Sequence, residues 1–422
     1  MNLPKTAVLM LRGVEGCGVS TYARHFRAFF SDNNGICDIY ALNLNVGRPD
    51  TSKDIKLRVF NFSESKEVVD KINADYDLVF VFSVPAKNAP EEIKNGYVEQ
   101  ILGKITKPKW MVNHDHHHLS ISRNADYKNA IEACDGLLCH SLTKTKSGFI
   151  AWLQKNEITK IPKKMDVFFH IPFVEHLINL DKGNRHKRLI NAARAVAWKR
   201  GSLVLNLHNE LAKRGFVTEM IGFERSIAGY SQLKNYNDKL TWFTDERFYK
   251  PVKTPSAFSS AKINNELFDF IDKHGQDPNL MYVIGSYDYT RGLQRIASSA
   301  FATHPRSFEH NGLDYGNNFE YQGLEASLLA VPIFHKHFLE TVTLPGSTTT
   351  LAETGVFLSI DDDNRHLTAG GPQVLEGENF AQRLDEIWID ADAYYAARRN
   401  SVDLIRAHYS SDVVVPRLLS SL

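Results

Sequence analysis

Short apolar runs alternate along this chain with stretches of helical periodicity, and that alternation predicts an α/β fold with mostly parallel sheets. In the first half, strands are predicted at Ala7–Leu11, Cys37–Leu42, Leu78–Val84, Trp110–Val112, Gly136–Cys139 and Asp166–Phe169. Several of them run out into small or polar residues: Arg12-Gly13, Ser83-Val84-Pro85, Asn113-His114-Asp115 and His140-Ser141. Ligands bind beyond the carboxyl ends of strands in open α/β sheets, so these endings are expected to line one crevice. A polar, basic stretch, Asp181–Arg188, reads as a linker, and the pattern restarts at Leu189–Ala193. A helix at Leu203–Lys213 follows, with Gly215 as its C-terminal cap. Further strands are predicted at Phe216–Ile221, Leu240–Phe243, Leu280–Ile284, Ala300–Ala302, Val331–Phe334 and Val356–Ile360. Further helices are predicted at Asn264–Lys273, Tyr289–Ser299, Glu320–Ala330 and Phe380–Arg406. The expected architecture is two Rossmann-like halves with a cleft between them: residues 1–180, residues 188–405, and a terminal segment 406–422 that returns to the first half.

Composition narrows the class. A chain of 422 residues exceeds one ordinary core and fits two domains. Its 43% hydrophobic and 23% charged residues are those of a soluble globular protein. The formal net charge of +1 excludes gross electrostatic capture of nucleic acid but not a local basic groove. The four cysteines, Cys17, Cys37, Cys134 and Cys139, form no C-x-x-C pattern and no disulfide framework, so a reducing cytoplasm is expected. Apolar runs stay below the roughly 18 residues of a membrane span, and the amino-terminal stretch does not read as a signal peptide.

Four segments could carry chemistry. Leu9–Ser20 reads as a buried strand, a glycine-rich turn and a helix start, which brings backbone N–H groups against a phosphate or a sugar. The spacing of Gly13, Gly18 and Ser20 fits a P-loop, but Val19 stands where that loop needs lysine, so ordinary ATP hydrolysis does not fit. Asn113-His114-Asp115-His116-His117-His118 invites a metal reading. Neighbours on an extended segment point to opposite faces, which spaces them poorly for one ion. A functional loop facing a sugar or base, or a polar structural loop, stays open, and His114 and Asp115 are its candidates for binding or deprotonating an acceptor. Arg194 and Lys199, five residues apart at a strand-to-helix turn, suit a diphosphate, with a solvated basic turn as the plain alternative. Glu325 leads an apolar helical stretch and can grip both ribose hydroxyls; a favourable charge near a helix N-terminus explains it, and Glu320, equally well.

Taken together these segments resemble the DNA α-glucosyltransferase family of T-even bacteriophages, which has the GT-B glycosyltransferase fold. The likeness is local. It runs through Met10–Ser20, Ser83-Val84-Pro85-Ala86, His114-Asp115-His116 with Leu119-Ser120 and Arg123-Asn124, and His140-Ser141. In the second half it runs through Arg194 with Trp198-Lys199, Gly222-Phe223-Glu224-Arg225-Ser226 and Glu320–Glu325. The resemblance implies two Rossmann-like domains facing a central cleft. It implies transfer of glucose, with retention, from UDP-glucose to the hydroxymethyl oxygen of 5-hydroxymethylcytosine in phage DNA, a modification that evades host restriction. Arg194 and Lys199 would take the diphosphate, Glu325 the ribose and Glu320 the sugar side. Gly13 to Gly18, with Glu15, would form the loop over sugar and acceptor, Gly16 and Gly18 on the donor, and His114 and Asp115 would lie at the acceptor.

No cofactor and no catalytic metal is implied, because cations and helix dipoles stabilise the diphosphate. DNA contacts are expected from Arg123, Lys144 and Lys146, with Lys104, Lys107, Lys109, Lys163 and Lys164 as further basic positions. The expected location is the cytoplasm of an infected bacterium, with no membrane partner. The apolar tail Val413–Leu419 is expected to dock on the first domain or to contact a replication clamp. Ile227–Lys262 matches nothing in the family pattern, His117 and His118 extend the histidine motif, and Glu320 and Glu325 lie closer than many retaining GT-B glutamate pairs. These departures leave the sugar open, UDP-arabinose included. Two rival readings remain: a GT-B enzyme with a small-molecule, lipid or glycan acceptor, and a non-enzymatic nucleotide- or DNA-binding module.

Overall fold

The computed structural model describes residues 2–11, 18–44, 57–85, 89–113, 125–139, 153–154, 158, 160, 162, 164–167, 185–192, 201–221, 268–269, 272–273, 277–279, 281–284, 289–303, 309–310, 313–314, 321–331, 333–334, 343–351, 353–354, 356 and 377–422. The chain divides into two compact units: Met1–Phe173 with Asp314–Asn318 and Ser410–Leu422, and Val174–Leu313 with Phe319–Tyr409.

The first unit is built on strands β1 (Thr6–Leu11), β2 (Cys37–Leu42), β3 (Leu57–Phe60), β4 (Leu78–Val81), β5 (Lys109–Asn113), β6 (Gly136–Cys139) and β7 (Lys164–Val167). Their order across the sheet is β3-β2-β1-β4-β5-β6-β7, and every pairing is parallel. A parallel sheet is covered on both faces, which is why β1 after Thr6 and all of β4 are apolar rather than alternating. Helix α1 (Gly18–Asp32) covers one face. Its Tyr22, Phe26 and Phe30 recur every fourth residue; Tyr22 and Phe26 meet Phe82, Phe26 also meets Phe80 edge to face at 5.1 Å, and Phe30 packs on Phe26. On the other face Leu9, Val79 and Val81 pack with Ile72 of α2 (Ser65–Asp75), Ile93 of α3 (Glu91–Gly96) and Tyr97. Helix α4 (Ala125–Glu132) adds Ala130 and Ile131 to this core.

The second unit repeats the scheme. Its strands are β8 (His186–Ala192), β9 (Val217–Ile221), β10 (Met281–Ile284), β11 (Ser299–Thr303) and, after a small two-stranded ribbon of β12 (Glu309–His310) and β13 (Leu313–Asp314), β14 (Ile333–Phe334). The five-stranded sheet has the order β10-β9-β8-β11-β14, again wholly parallel. Counted within the unit, that is the same reversal of order as in the first sheet. Helices α5 (Gly201–Lys213), α6 (Tyr289–Ala297), α7 (Tyr321–Leu328), α8 (Gly377–Ile389) and α9 (Ala391–Tyr409) complete it. Leu189, Phe216 and Phe301 form a core with Leu207 and Leu211 of α5 and Phe380 and Leu384 of α8. Gly215 adopts φ +77°, and the amides of Gly215 and Phe216 close the end of α5 on Ala212 and Leu211, as the capping reading requires.

Three sequence expectations are corrected. The basic stretch 181–188 is not all linker, because His186, Lys187 and Arg188 open β8. The predicted helix Phe380–Arg406 is two helices, interrupted at Asp390, whose carboxylate caps the second by accepting from the Ala393 amide. Val413–Leu419, expected to dock on the first domain, lies in helix α10 (Ser411–Ser421), which packs on α1 and buries Val414, Val415 and Leu418. Lys109 is buried, with Nζ donating to the Ile105 carbonyl at 2.8 Å, so it is no DNA-facing cation. Leu240–Phe243 and residues 357–360 of the strand predicted from Val356 lie outside the described residues.

Arg188 survives full burial because its neighbours carry the opposite charge. Glu219 of β9, also fully buried, pairs with Arg188 Nε at 3.2 Å and accepts from Arg295 Nε at 2.7 and 3.0 Å. Arg295 also pairs with Asp272, and Arg188 reaches the hydroxyls of Ser298 and Ser299. Burial lowers the Arg188 pKa to about 10, which still leaves it charged at neutral pH. Removing the central carboxylate leaves Arg188 buried without its carboxylate and Arg295 with Asp272 alone, a loss of roughly 3–5 kcal/mol. Glu219→Gln is therefore expected to lower stability by that amount, read as a large drop in the urea midpoint.

In the first unit Gly136 lies under the Trp110 ring so closely that a Cβ would overlap it. Gly136→Ala is expected to cost about 1–3 kcal/mol through overpacking, measured by thermal unfolding.

Candidate active site

In a parallel sheet whose strand order reverses, the two strands at the reversal send their connections to opposite faces, and a crevice opens beyond their carboxyl ends. In the first unit those strands are β1 and β4. The Phe82 amide still donates to the Leu9 carbonyl at 2.8 Å. The next rung is made by a side chain, with the Leu11 amide donating to Ser83 Oγ at 2.7 Å. Past that rung the chain passes through residues 12–17 and returns as α1, with Gly18 its first residue. Helix α1 has no acidic residue in its first turn.

In the second unit the reversal lies between β8 and β11. Asn191, near the end of β8, donates through Nδ2 to the carbonyl of Thr303, the last residue of β11, at 3.1 Å. Gln322, in the first turn of α7, donates through Nε2 to the same carbonyl at 2.6 Å. All three residues are buried, so each bond forms out of contact with water. One turn further along α7 stands Glu325, 6% exposed. Gln322 and Glu325 are three apart and share a helix face. Helix α5 starts at Gly201, after the segment that holds Arg194 and Lys199, and it too has no acid in its first turn.

Of the residues singled out in the sequence, Gly18 and Glu325 fall within the described structure, at the first residue of α1 and inside α7. Glu15, Gly16, His114, Asp115, Arg123, Lys144, Lys146, Arg194, Lys199 and Glu320 lie outside the described residues. Described strands and helices lead to them: β5 ends at Asn113, β8 at Ala192, and α7 begins at Tyr321. Sequence reasoning missed the roles of Asn191 and Thr303. Asn191 had a signal, since it interrupts the apolar run Leu189-Ile190 next to a strand end. Thr303 acts through its carbonyl, which no residue type reveals. Among the described residues no group of three or more His, Cys, Asp or Glu could hold a metal ion, and no helix is long and apolar enough to cross a membrane.

Two parallel Rossmann-like sheets, each with a crevice at its reversal, define the GT-B glycosyltransferase class of fold. Over 96% of its length the chain is similar, at 23% identity, to the DNA α-glucosyltransferase of Enterobacteria phage T4, of which 96% is covered. A solved α-glucosyltransferase in complex with UDP and a 13-mer DNA containing an HMU base superposes with a TM-score of 0.78, at 19% identity over 100% of this chain and 99% of that one. Another, with UDP-glucose and DNA containing an abasic site, gives 0.75 at 19% identity, covering 99% and 98%. The HepE protein of Anabaena in complex with UDP and glucose shares the fold more distantly, with a TM-score of 0.53 at 11% identity, covering 99% and 100%. No family model matches the chain.

Proposed function

We propose that this protein transfers glucose from UDP-glucose to the hydroxymethyl oxygen of 5-hydroxymethylcytosine in duplex phage DNA, with retention, in the cytoplasm of an infected bacterium. The observation that carries the reading is end-to-end similarity to a DNA α-glucosyltransferase, with Glu325 buried on the helix beside the second crevice. In this reading the second unit holds the donor. Arg194 and Lys199 neutralise the diphosphate, Glu325 accepts from both ribose hydroxyls, and Glu320 approaches the sugar. The first unit holds the acceptor. His114 and Asp115 bind the hydroxymethyl group, and the loop of Glu15, Gly16 and Gly18 closes over the sugar.

The bond from the anomeric carbon to the UDP oxygen breaks as the bond to the hydroxymethyl oxygen forms on the same face. The hydroxyl proton passes to the departing diphosphate, and no sugar–enzyme bond forms. Charge builds on the diphosphate in this step, and fixed cations stabilise that charge more than the ground state. No cofactor or metal is needed for it. Arg123, Lys144 and Lys146 contact DNA phosphates. Flipping the target base out of the stack would cost a few kcal/mol, whereas the hydroxymethyl group already lies in the major groove. The helix α10, which packs on α1, docks the terminal segment on the first unit.

A panel of UDP-sugars offered with hydroxymethylcytosine DNA, read by mass spectrometry of the nucleosides, tests the proposal. Glucosylated hydroxymethylcytosine is the expected product, and arabinose transfer alone would change the donor. Product on free sugars or lipids and none on DNA would replace the acceptor. Lys199→Ala and Asp115→Ala are each expected to lower kcat by roughly 10²- to 10³-fold.

If the acceptor is a polyanion, affinity for DNA should fall steeply as salt rises from 50 to 200 mM, on the order of tenfold or more for a few phosphate contacts. Fluorescence anisotropy checks this, and a flat response would argue against DNA.

A further inference from the structure

The geometry points to Gln322, acting with Asn191 through the Thr303 carbonyl, as a positioning residue that sets Glu325 for the donor's ribose. The inference rests on the donor reading above. Three chain segments meet at one oxygen: the end of β8, the end of β11 and the first turn of α7. Strand β8 fixes the end that leads to Arg194 and Lys199, and α7 carries Glu325. The shared carbonyl therefore ties the approach to the diphosphate cations to the ribose carboxylate. The Gln322 bond, at 2.6 Å, is short for an amide and a carbonyl, and Gln322 is buried. With Nδ2 committed to Thr303, Asn191 is oriented by that bond, because its Oδ1 has no hydrogen-bond partner among the described residues.

Neither amide need touch the ligand. A carboxylate that accepts two ribose hydroxyls needs placement to a fraction of an ångström, and neighbours that lock it supply that placement. The ribose is remote from the reacting bond. Its contacts hold ground and transition states about equally, so loosening them raises KM and spares kcat.

Gln322→Met keeps the side-chain length and removes the donor. It is expected to weaken UDP binding about tenfold by calorimetry and to raise KM for UDP-glucose by about the same factor, with kcat within about twofold and DNA affinity unaltered. Asn191→Ala removes the weaker bond and is expected to weaken UDP binding about threefold, which keeps the test open should Gln322→Met fold poorly. Folded variants with lower melting temperatures but wild-type UDP affinity would show a purely structural clamp and overturn the inference. Equal losses in kcat and kcat/KM would overturn it too. Wild-type protein that fails to bind UDP would remove the donor reading and this inference together, whereas UDP binding unaltered in the variants removes this inference alone.

Discussion

The structure depends on one constraint: each parallel sheet reverses its strand order, and the chain must bridge the gap that the reversal opens. Backbone pairing ends where two strands diverge, and the last amides and carbonyls there need other partners. Both units solve this with side chains. In the first, Ser83 Oγ takes the Leu11 amide; in the second, Asn191 and Gln322 donate to the Thr303 carbonyl. These bridges stand at the mouths of the crevices. The hydrogen bonds that finish each sheet therefore also set the floor of each candidate binding surface, and fold and site share the same few bonds.

The two units differ in what they bury behind that floor. The first fills its α1 face with rings, Tyr22, Phe26, Phe80 and Phe82, whose contact is apolar and edge to face. The second buries charge. Arg188, Glu219 and Arg295 lie inside it with Asp272 at the margin, a set whose two cations and two carboxylates cancel. Such a network contributes little net stability over an apolar packing, but it is unforgiving of a missing partner. It fixes β8 against β9 and α6 in one register, because an arginine displaced along the strand would lose its carboxylate.

The fold was largely legible in the chain because buried parallel strands leave apolar runs that need no partner to be read. Cys37–Leu42 and Gly136–Cys139 have the bounds expected, and Gly215 caps α5 as read. What escaped was long-range. Strand β3 (Leu57–Phe60) has only one fully buried residue, since it is an edge, and so it lacked an apolar run. His186-Lys187-Arg188 looked like linker because the residue that makes Arg188 buriable, Glu219, lies on another strand. For the site, Gly18 and Glu325 were read from local motif chemistry, and the structure places them at the start of α1 and within α7. The Thr303 carbonyl was illegible in principle, because every residue has one. Only its convergence with two amides gives it a part.

The division between charged and neutral groups in the second unit has its own physical logic. Arg188 and Asn191 sit on the same strand, three residues apart, or about 10 Å along it. At that distance and an effective dielectric of 20, a bare cation would act on the crevice with roughly 1.7 kcal/mol per unit charge. Pairing Arg188 with Glu219, and Arg295 with Asp272, cancels most of that field before it reaches the mouth. Nearer the crevice the bracing groups are amides, which hold α7 without adding a charge beside Glu325. A neutral clamp at the mouth, with compensated charge behind it, adds no net charge beside the Glu325 carboxylate.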